Sequence, residues 1–280
     1  MSGQATETPV PHDDEQMPST LSEAVRIEAR RALHPPYETP IVVAVNGAIM
    51  SSCWIFLPKS LKDDIFTLHG TLAFALVLAA WMYSDVPATN VLGPDSHRVL
   101  AALSDREMFS RLLYAKNIVL WLLITPLCSV VALVNGLIHH NLSSTLFTII
   151  WIAIVPFGAL GLSNLVGIRF PYHPMPLRFR WQHRKPFWRM IGRWLTLAVT
   201  PYILVPALAV VLMTPTLILW GLLTPHGLSK QLHVTDLGWG VAVACVVALI
   251  CWLGGHRFGF WLASKRAARL ADFLSDPARG

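Results

Sequence analysis

A long charge-free stretch in the middle of the chain constrains what this sequence can fold into. Residues 117–168 contain no Asp, Glu, Lys or Arg, and Lys116 and Arg169 stand at the two ends of the stretch. A helix needs only ~20 residues to cross the ~30 Å hydrocarbon layer of a membrane. Polar residues interrupt the stretch once, at 139–144. It therefore predicts two membrane-spanning helices joined by a tight turn.

The composition of the whole chain is also typical of a membrane protein. Of its 280 residues, 54% are hydrophobic and 14% are charged, whereas soluble domains carry ~25% charged residues. The formal net charge of +6 is consistent with loops that flank membrane spans, so we expect no nucleic-acid partner. The first apolar run begins at Ile41. We therefore expect it to stay in the protein as an anchor and not to be removed as a signal peptide.

Six apolar runs predict an all-α fold with six transmembrane helices. The runs are 41–57, 65–83, 118–137, 146–166, 194–223 and 237–255, of which the fifth is longer than one span requires. Nineteen of the 22 Lys and Arg residues lie in the two terminal tails or in the loops after the second and fourth spans. Since Lys- and Arg-rich short loops stay in the cytoplasm, both termini are predicted to be cytoplasmic.

The segments outside the spans are assigned from their polarity and from helix-start signals. Thr20 and Glu23 have the spacing of a capping box, which predicts a helix beginning at residue 21. Its apolar and basic residues favour a position in the membrane interface, with a solvated helix as the alternative. The predicted organisation is a disordered tail 1–20, an interfacial amphipathic helix 21–36, a transmembrane domain 37–258 with loops 84–117 and 167–193, and a basic cytoplasmic tail 259–280.

The loop 84–117 mixes acidic with basic residues, which membrane topology alone does not require. Asp95 is placed to cap a short helix at 96–103. Ser104 and Glu107 form a second capping box, which predicts the start of a helix that continues into the third span. A loop helix with one apolar face is more often a docking surface than a spacer.

The fifth predicted span contains Pro201, Pro206 and Pro215, which predict a kinked helix. Residues 217–236 fit either a re-entrant segment or an ordinary external loop. His69 and the adjacent pair His139 and His140 are interpreted as structural or solvated residues, not as ligands.

Several kinds of chemistry have no matching motif in the sequence. There is no phosphate-binding loop, no H-E-x-x-H and no G-x-S-x-G. No predicted span contains a carboxylate or a fixed cation in its interior, which disfavours ion-coupled transport. The four cysteines fall within apolar runs without C-x-x-C spacing, so neither a disulfide nor a metal site is expected.

Two segments resemble those of a known family. The first reads N-V-L-G-P-D over 90–95, L-A-A-L over 100–103, S-D-R-E over 104–107 and L-L-Y-A-K-N over 112–117. The second reads S-N-L-V-G-I-R-F-P over 163–171. Together with the six predicted spans, they are similar to the loops of type-2 permease subunits of ATP-binding-cassette (ABC) exporters, in particular to divergent, actinobacterial-like members.

The resemblance implies a function and partners. In that family two permease subunits, identical or different, pair with two separate ATPase subunits that bind ATP and Mg²⁺, so this chain needs no cofactor of its own. It implies a bacterial plasma membrane and export of an unidentified hydrophobic or amphipathic substrate by alternating access. The residues assigned to ATPase coupling are Asn90, Gly93, Asp95, Arg98, Leu100, Leu103, Arg106, Glu107 and Lys116, and the second motif adds Asn164, Arg169 and Pro171.

The resemblance further implies that the helix 96–103 seats in a groove of the ATPase, with Arg98 and Arg106 as polar contacts. Two other readings of the sequence remain open. One is a membrane scaffold or anchor that transports nothing. The other is a membrane-embedded lipid enzyme, which is disfavoured because no carboxylates or histidines cluster at one interface.

Overall fold

The computed structural model describes residues 18–35, 37–60, 70–83, 90–138, 140, 142–171, 173 and 234–276, together with scattered positions between 199 and 223. Within these ranges the chain is helical and contains no β-strand. The helices are α1 (Leu21–Ala32), α2 (Glu38–Phe56), α3 (Gly70–Tyr83), α4 (Ser96–Ala102), α5 (Arg106–Ile138), α6 (Leu142–Arg169), α7 (Val234–Lys265) and α8 (Ala267–Leu274), with a 3-10 turn at Gly93–Asp95.

Four of these helices are long and apolar enough to cross a membrane. Their candidate spans are Thr39–Phe56, Arg106–Ile138, Thr145–Arg169 and Gly238–Lys265. They correspond to the first, third, fourth and sixth predicted spans. The prediction of a helical chain is therefore confirmed for the described residues, and the four long apolar helices are compatible with a membrane protein. Of the second predicted span, the structure describes the part from Gly70 as α3. His69 and most of the predicted fifth span and of segment 217–236 lie outside the described residues.

The bundle has an apolar core and an apolar exterior. α3 packs against α5 and α6, and α6 packs along α7. Phe74, Leu78, Ile124 and Leu160 are among the side chains buried in this core. Large apolar side chains remain exposed on the outward face of α5, as a lipid-facing surface requires: Leu122, Leu127, Val130, Leu133, Val134, Leu137 and Ile138.

Close approach of two backbones determines how α6 packs on α7. A Cβ atom added at Gly161 of α6 would lie 2.5 Å from the Cα atom of Trp252, and one added at Gly158 would lie 3.0 Å from the Cα atom of Ala248. On α7, a Cβ atom at Gly255 would meet the backbone of Gly161. Small residues at such positions allow membrane helices to pack through van der Waals contact. The glycines thus allow the C-terminal halves of α6 and α7 to pack closely.

A second apolar core closes the end of the bundle at which α5 begins and α6 and α7 finish, which we call the basic end. It joins α4 and the first turns of α5 to α8 through Val99, Phe109, Leu270 and Phe273. Much of the segment 259–280, predicted as a basic tail, is therefore helical, because α7 continues to Lys265 and α8 (Ala267–Leu274) buries an apolar face.

Arg266, at the bend between α7 and α8, fastens these helices to α6. Its Nη1 donates hydrogen bonds to the carbonyl oxygens of Ile168 (3.0 Å) and Arg169 (2.9 Å). The last carbonyls of a helix have no partner within the helix, and they carry its negative dipole end. The guanidinium therefore caps α6 and links three helices at the basic end.

Candidate functional site

The N-terminal helix α1 begins at the predicted residue but buries an unexpected face. The Thr20 side chain accepts a hydrogen bond from the backbone N–H of Glu23, and the Glu23 carboxylate accepts one from the N–H of Ser19. Ala24 and Glu28 are buried, whereas the apolar Leu21 and Leu33 are exposed. α1 packs against α5. The buried side of the helix thus combines Ala24, which belongs to the predicted apolar face, with the carboxylate of Glu28, whereas Leu21 and Leu33 of that face are exposed.

Asp95 is the centre of an ion-pair cluster that holds the loop to two helices. Its Oδ1 lies 2.8 Å from Nη1 of Arg31, on α1, and its Oδ2 lies 2.6 Å from Nζ of Lys116, on α5. The Lys116 ammonium also donates a hydrogen bond to the carbonyl oxygen of Val91, at 2.9 Å. Since the Asp95 and Lys116 side chains are 14% and 11% exposed, water screens their attraction only weakly.

The charge of Asp95 is strongly stabilised. Burial opposes its ionisation, but the ammonium of Lys116 and the guanidinium of Arg31 outweigh that cost and lower the pKa of the carboxyl to about 2. Arg98 contributes in the same direction from 3.9 Å. Asp95 therefore remains an anion at any physiological pH.

Arg98 points into the protein and pairs with a residue that the sequence motif did not include. Its Nη1 donates to the Glu28 carboxylate of α1, and both side chains are 10% exposed. The resemblance suggested that Arg98 is a polar contact for a partner. In the structure this guanidinium is instead occupied in a buried pair, because α1 covers it.

Two predicted helix caps differ from the structure. Asp95 precedes α4, but its side chain makes no capping hydrogen bond, because Arg31 and Lys116 bind the carboxylate. Asp105, not Ser104, caps α5: its Oδ1 accepts hydrogen bonds from the N–H groups of Glu107 (2.8 Å) and Met108 (3.4 Å). A carboxylate at this position also interacts favourably with the positive end of the helix dipole.

The outward face of α4 is small and polar. His97 and Ala101 are exposed one helical turn apart, and the exposed Ser104 follows in the turn after the helix. The predicted coupling residues Leu100 and Leu103 are half-buried and pack on the apolar core of the basic end. Asn90 and Gly93 are buried in the approach to α4.

The remaining charged residues of the loop motif lie at the start of α5. The guanidinium of Arg106 stands over the ring of Phe260, 5.0 Å from its centroid. Glu107 pairs with Arg111 at 2.7 Å, on the exposed side of the helix. Unlike Arg98, Arg106 and Glu107 are exposed, so they remain accessible to another protein.

The second motif meets the first through a histidine that the sequence analysis did not select. Nε2 of His256, on α7, lies 3.2 Å from Nδ2 of Asn117 on α5, and Nδ1 lies 3.3 Å from Nδ2 of Asn164 on α6. All three side chains are at most 3% exposed. Asn117 directly follows Lys116, so the ion-pair cluster and this polar trio are attached to the same turn of α5.

Hydrogen-bond chemistry determines the tautomer of His256. The Nδ2 of Asn117 also donates to the carbonyl oxygen of Leu160, at 3.2 Å, which can only accept. The Asn117 amide is thereby oriented with its nitrogen towards the ring, so the Nε2 of His256 accepts and its Nδ1 carries the proton. That proton needs an acceptor. The structure places the Asn164 nitrogen towards Nδ1, so the amide must be turned over for its oxygen to accept the hydrogen bond. The trio then connects α5, α6 and α7 inside the bundle.

Arg169 and Pro171 of the second motif lie at the end of α6 and do not join the polar trio. Arg169 is exposed beside the ring of Phe170, and its carbonyl oxygen accepts from Arg266. Pro171 is buried. Both lie where α6 ends, and the Arg169 carbonyl links that end to Arg266 at the start of α8.

Sequence reasoning missed Glu28, Arg31 and His256. Ala24, Glu28 and Arg31 follow one another at four- and three-residue spacing, so they lie on one stripe of α1. This combination of a small, an acidic and a basic residue was the only sign in the sequence that α1 buries a carboxylate. His256 follows Gly254 and Gly255. A polar residue beside two glycines near a membrane helix end is a sign of close helix packing.

Two expectations about cysteines and metals can be compared with the described part of the chain. Cys53, Cys128, Cys245 and Cys251 are all free thiols. Within the described ranges, no three His, Cys, Asp or Glu side chains come close enough to hold a metal ion. Comparison with known proteins gives no further identification, since no family model, curated protein or solved structure matches this chain.

Proposed function

We propose that this chain is the membrane-spanning subunit of an ABC exporter, with six spans and both termini in the cytoplasm of a bacterial cell. A separate ATPase subunit would bind ATP and Mg²⁺, and a second permease subunit would complete the pathway. The substrate class consistent with apolar span interiors is hydrophobic or amphipathic. The proposal rests on the loop motif and on one observation, the fastening of α4 to α5 by Asp95 and Lys116.

That ion pair connects the loop rigidly to a candidate transmembrane helix, as a subunit driven by a separate ATPase requires. The Asp95–Lys116 contact (2.6 Å) and the apolar core beneath α4 make α4 and the start of α5 move as one body. A partner that pushes on α4 would therefore displace a candidate transmembrane helix. Packed elements of this kind transmit a push as a rigid-body shift between discrete arrangements.

The exposed face of α4 offers a place for the ATPase to act. His97 and Ala101 of α4 form a small exposed surface together with Ser104 of the following turn. The exposed charged residues Asp105, Arg106 and Glu107 come directly after it in the chain. In this proposal Arg98 does not contact the ATPase. It holds α1 against the back of α4 and so stiffens the loop.

Purification from the native membrane in mild detergent tests the proposal. We expect an ATPase subunit, recognised by its phosphate-binding motif and its ATP hydrolysis, to co-purify in equal amount with the chain. Ala101→Glu should abolish this association, because it places a charge in the centre of the α4 face. Ala268→Glu is the matched control, an exposed alanine of α8 at the same end of the bundle.

Two results would contradict the proposal. One is the isolation of the intact chain without any ATPase, under conditions that preserve other membrane complexes. The other is retention of the ATPase by Ala101→Glu together with unchanged stimulation of ATP hydrolysis by reconstituted lipids or hydrophobic compounds.

A membrane scaffold is the second candidate. The rigid basic end favours it, since α1, α4 and α8 together build a folded platform that could hold a partner without any transport. A scaffold would retain its partner through α4 whether or not ATP is present, and no candidate substrate would change ATP hydrolysis in the purified complex. For an exporter, at least one candidate substrate should change the rate of ATP hydrolysis in the purified complex.

A further inference from the structure

The last two turns of α7 carry exposed aromatic and basic side chains on one stripe. Arg257, Trp261 and Lys265 follow one another at four-residue spacing and are all exposed, and the exposed Phe258 lies beside them. Side chains four residues apart are neighbours on a helix surface. This stripe belongs neither to the ion-pair cluster nor to the α4 face.

The depth of this stripe can be estimated from a second tryptophan of the same helix. Trp239 and Trp261 are 56% and 44% exposed. At 1.5 Å per residue their separation along the axis is about 33 Å, close to the ~30 Å thickness of a hydrocarbon layer. Tryptophan favours both membrane interfaces. Trp261 is thus at headgroup depth at the basic end, with Arg257 one turn towards the hydrocarbon and Lys265 one turn towards water.

The aromatic rings hold these groups in place. Phe258 and Trp261 stack with 4.9 Å between their centroids, and the Lys265 ammonium stands 4.0 Å from the centroid of the Trp261 ring. A lysine over an indole face is stabilised by a cation–π interaction. The ammonium is therefore positioned at the interface instead of being freely solvated.

The stretch of sequence that contains the stripe carries only positive charges. Residues 237–271 contain Arg257, Lys265, Arg266 and Arg269 but no Asp or Glu. Among the described residues, neither Arg257 nor Lys265 forms an ion pair with a carboxylate. The like charges of Arg169 and Arg269 add to burial in lowering the pKa of Arg266. An anion from outside the chain would relieve this unbalanced field.

We propose that Arg257, Phe258, Trp261 and Lys265 form a binding site for an anionic phospholipid. The phosphate group lies between the two cations, and the first segments of an acyl chain lie along Phe258 and Trp261. Arg257 reaches the phosphate by extending its side chain towards the interface, as long basic side chains near helix ends do. This site needs a membrane but is independent of the proposed transport function.

Native mass spectrometry of the full-length chain tests the site with two probes of identical acyl chains, phosphatidylglycerol and phosphatidylcholine. The unmodified chain should retain phosphatidylglycerol preferentially. Each cation removed, in Arg257→Gln and Lys265→Gln, should weaken this preference by about 5-fold, since a basic residue near an anionic surface contributes ~1 kcal/mol. The charge-preserving variant Arg257→Lys should keep most of it, which also shows that the helix folds.

The matched control is Arg26→Gln with Arg30→Gln, which removes two exposed charges from α1. If this control lowers the preference as much as the α7 variants do, the effect is one of net charge and the site is refuted. Retention of the preference by the Arg257→Gln, Lys265→Gln double variant refutes it too. Competition by inorganic phosphate at millimolar concentration would refute the lipid as ligand, because the cations would then recognise the free anion.

Discussion

Asp95 stands between three cations from three separate parts of the chain: Arg31 of α1, Arg98 of α4 and Lys116 of α5. All three are at least partly withdrawn from water. A buried cation that loses its counter-ion is left with a large, uncompensated desolvation cost. The carboxylate of Asp95 thus compensates the charge of three cations that would otherwise repel one another in a partly buried environment.

Replacing Asp95 tests this role. We expect Asp95→Asn to reduce the free energy of unfolding by about 3 kcal/mol, because it leaves Lys116 and Arg31 without their anion. Glu107→Gln is the control, since it breaks the exposed Glu107–Arg111 pair and should cost below ~0.5 kcal/mol. Unfolding in detergent micelles, followed by tryptophan fluorescence, measures both. Equal losses in the two variants would show that the Asp95 cluster is no stronger than a surface pair.

The acid sensitivity of the cluster follows from the pKa of Asp95. The pKa is about 2 in the folded protein, against an ordinary value of 3.8. A lowered pKa stabilises the folded state above the ordinary value, and this stabilisation is lost as the pH falls towards the folded-state pKa. The difference in stability between the unmodified chain and Asp95→Asn should therefore be constant from pH 7 to about pH 5, and should shrink below about pH 4.

Melting curves at a series of pH values measure that difference. A difference that already declines between pH 7 and pH 5 would contradict an assignment to Asp95, because its carboxyl is fully ionised throughout that interval.

Local signals in the sequence were sufficient for one helix start and insufficient for another. The Thr20 cap needed only hydrogen bonds within four residues, so the capping-box pattern predicted it correctly. Ser104 and Asp105 are both good N-cap residues, and the pattern favoured Ser104. The Asp105 carboxylate is the cap that forms. Asp95 was predicted to cap α4 as well. Its carboxylate instead binds Arg31 and Lys116, which lie 64 and 21 residues away in sequence, and no local pattern indicates such distant partners.

At the scale of elements, α6 and α7 depend on glycine to pack so closely. Gly254 and Gly255 make this testable because they are adjacent in sequence and differ in environment. A Cβ atom at Gly255 would meet the backbone of Gly161, whereas nothing lies within 4 Å of one at Gly254. Of these two adjacent glycines, only Gly255 is in close contact with a neighbouring backbone.

Gly255→Ala should therefore separate α6 from α7 and destabilise the chain by several kcal/mol, since two backbones must shift. Gly254→Ala should be neutral or slightly stabilising, because alanine has the higher helix propensity. Thermal unfolding in detergent compares the two. Equal stability of the two variants would contradict the prediction, because α6 and α7 could then move apart with little loss of free energy.

The same packing explains how much of the candidate site the sequence could predict. Apolar runs predicted α2, α5, α6 and α7, because a membrane requires such runs of any spanning helix. The contact between Asn117, Asn164 and His256 depends on the rotation of three helices about their axes. The Gly161–Gly255 approach constrains this rotation for α6 and α7. Rotation is a property of the packed bundle, and hydropathy alone does not predict it.

At the scale of the whole molecule, the described helices place α1, α4 and α8 at the basic end. The α5–α6 turn near His140 lies at the other end of α5, a helix of 33 residues. At 1.5 Å per residue this helix is about 50 Å long, enough to reach from one side of a membrane to the other. The two ends should therefore face opposite compartments.

Single cysteines at Ala101, His140 and Ser275, in a chain whose native cysteines are replaced, test this arrangement. With a membrane-impermeant maleimide, Ala101→Cys and Ser275→Cys should react only in inverted vesicles, and His140→Cys only in intact cells. The expected orientation follows from the basic charge of the end that carries α4 and α8. Reaction of Ala101→Cys and Ser275→Cys from opposite sides would contradict the helix arrangement.

The position of the Asn117 contacts along α5 makes this helix a lever with unequal arms. Asn117 is held to α6 and α7, so it is the natural pivot of the helix. About 17 Å of helix separates Arg106 from that pivot, and about 32 Å separates the pivot from Ile138. A rigid tilt about Asn117 would thus amplify a displacement at the α4 end roughly twofold at the opposite membrane surface, and in the opposite direction.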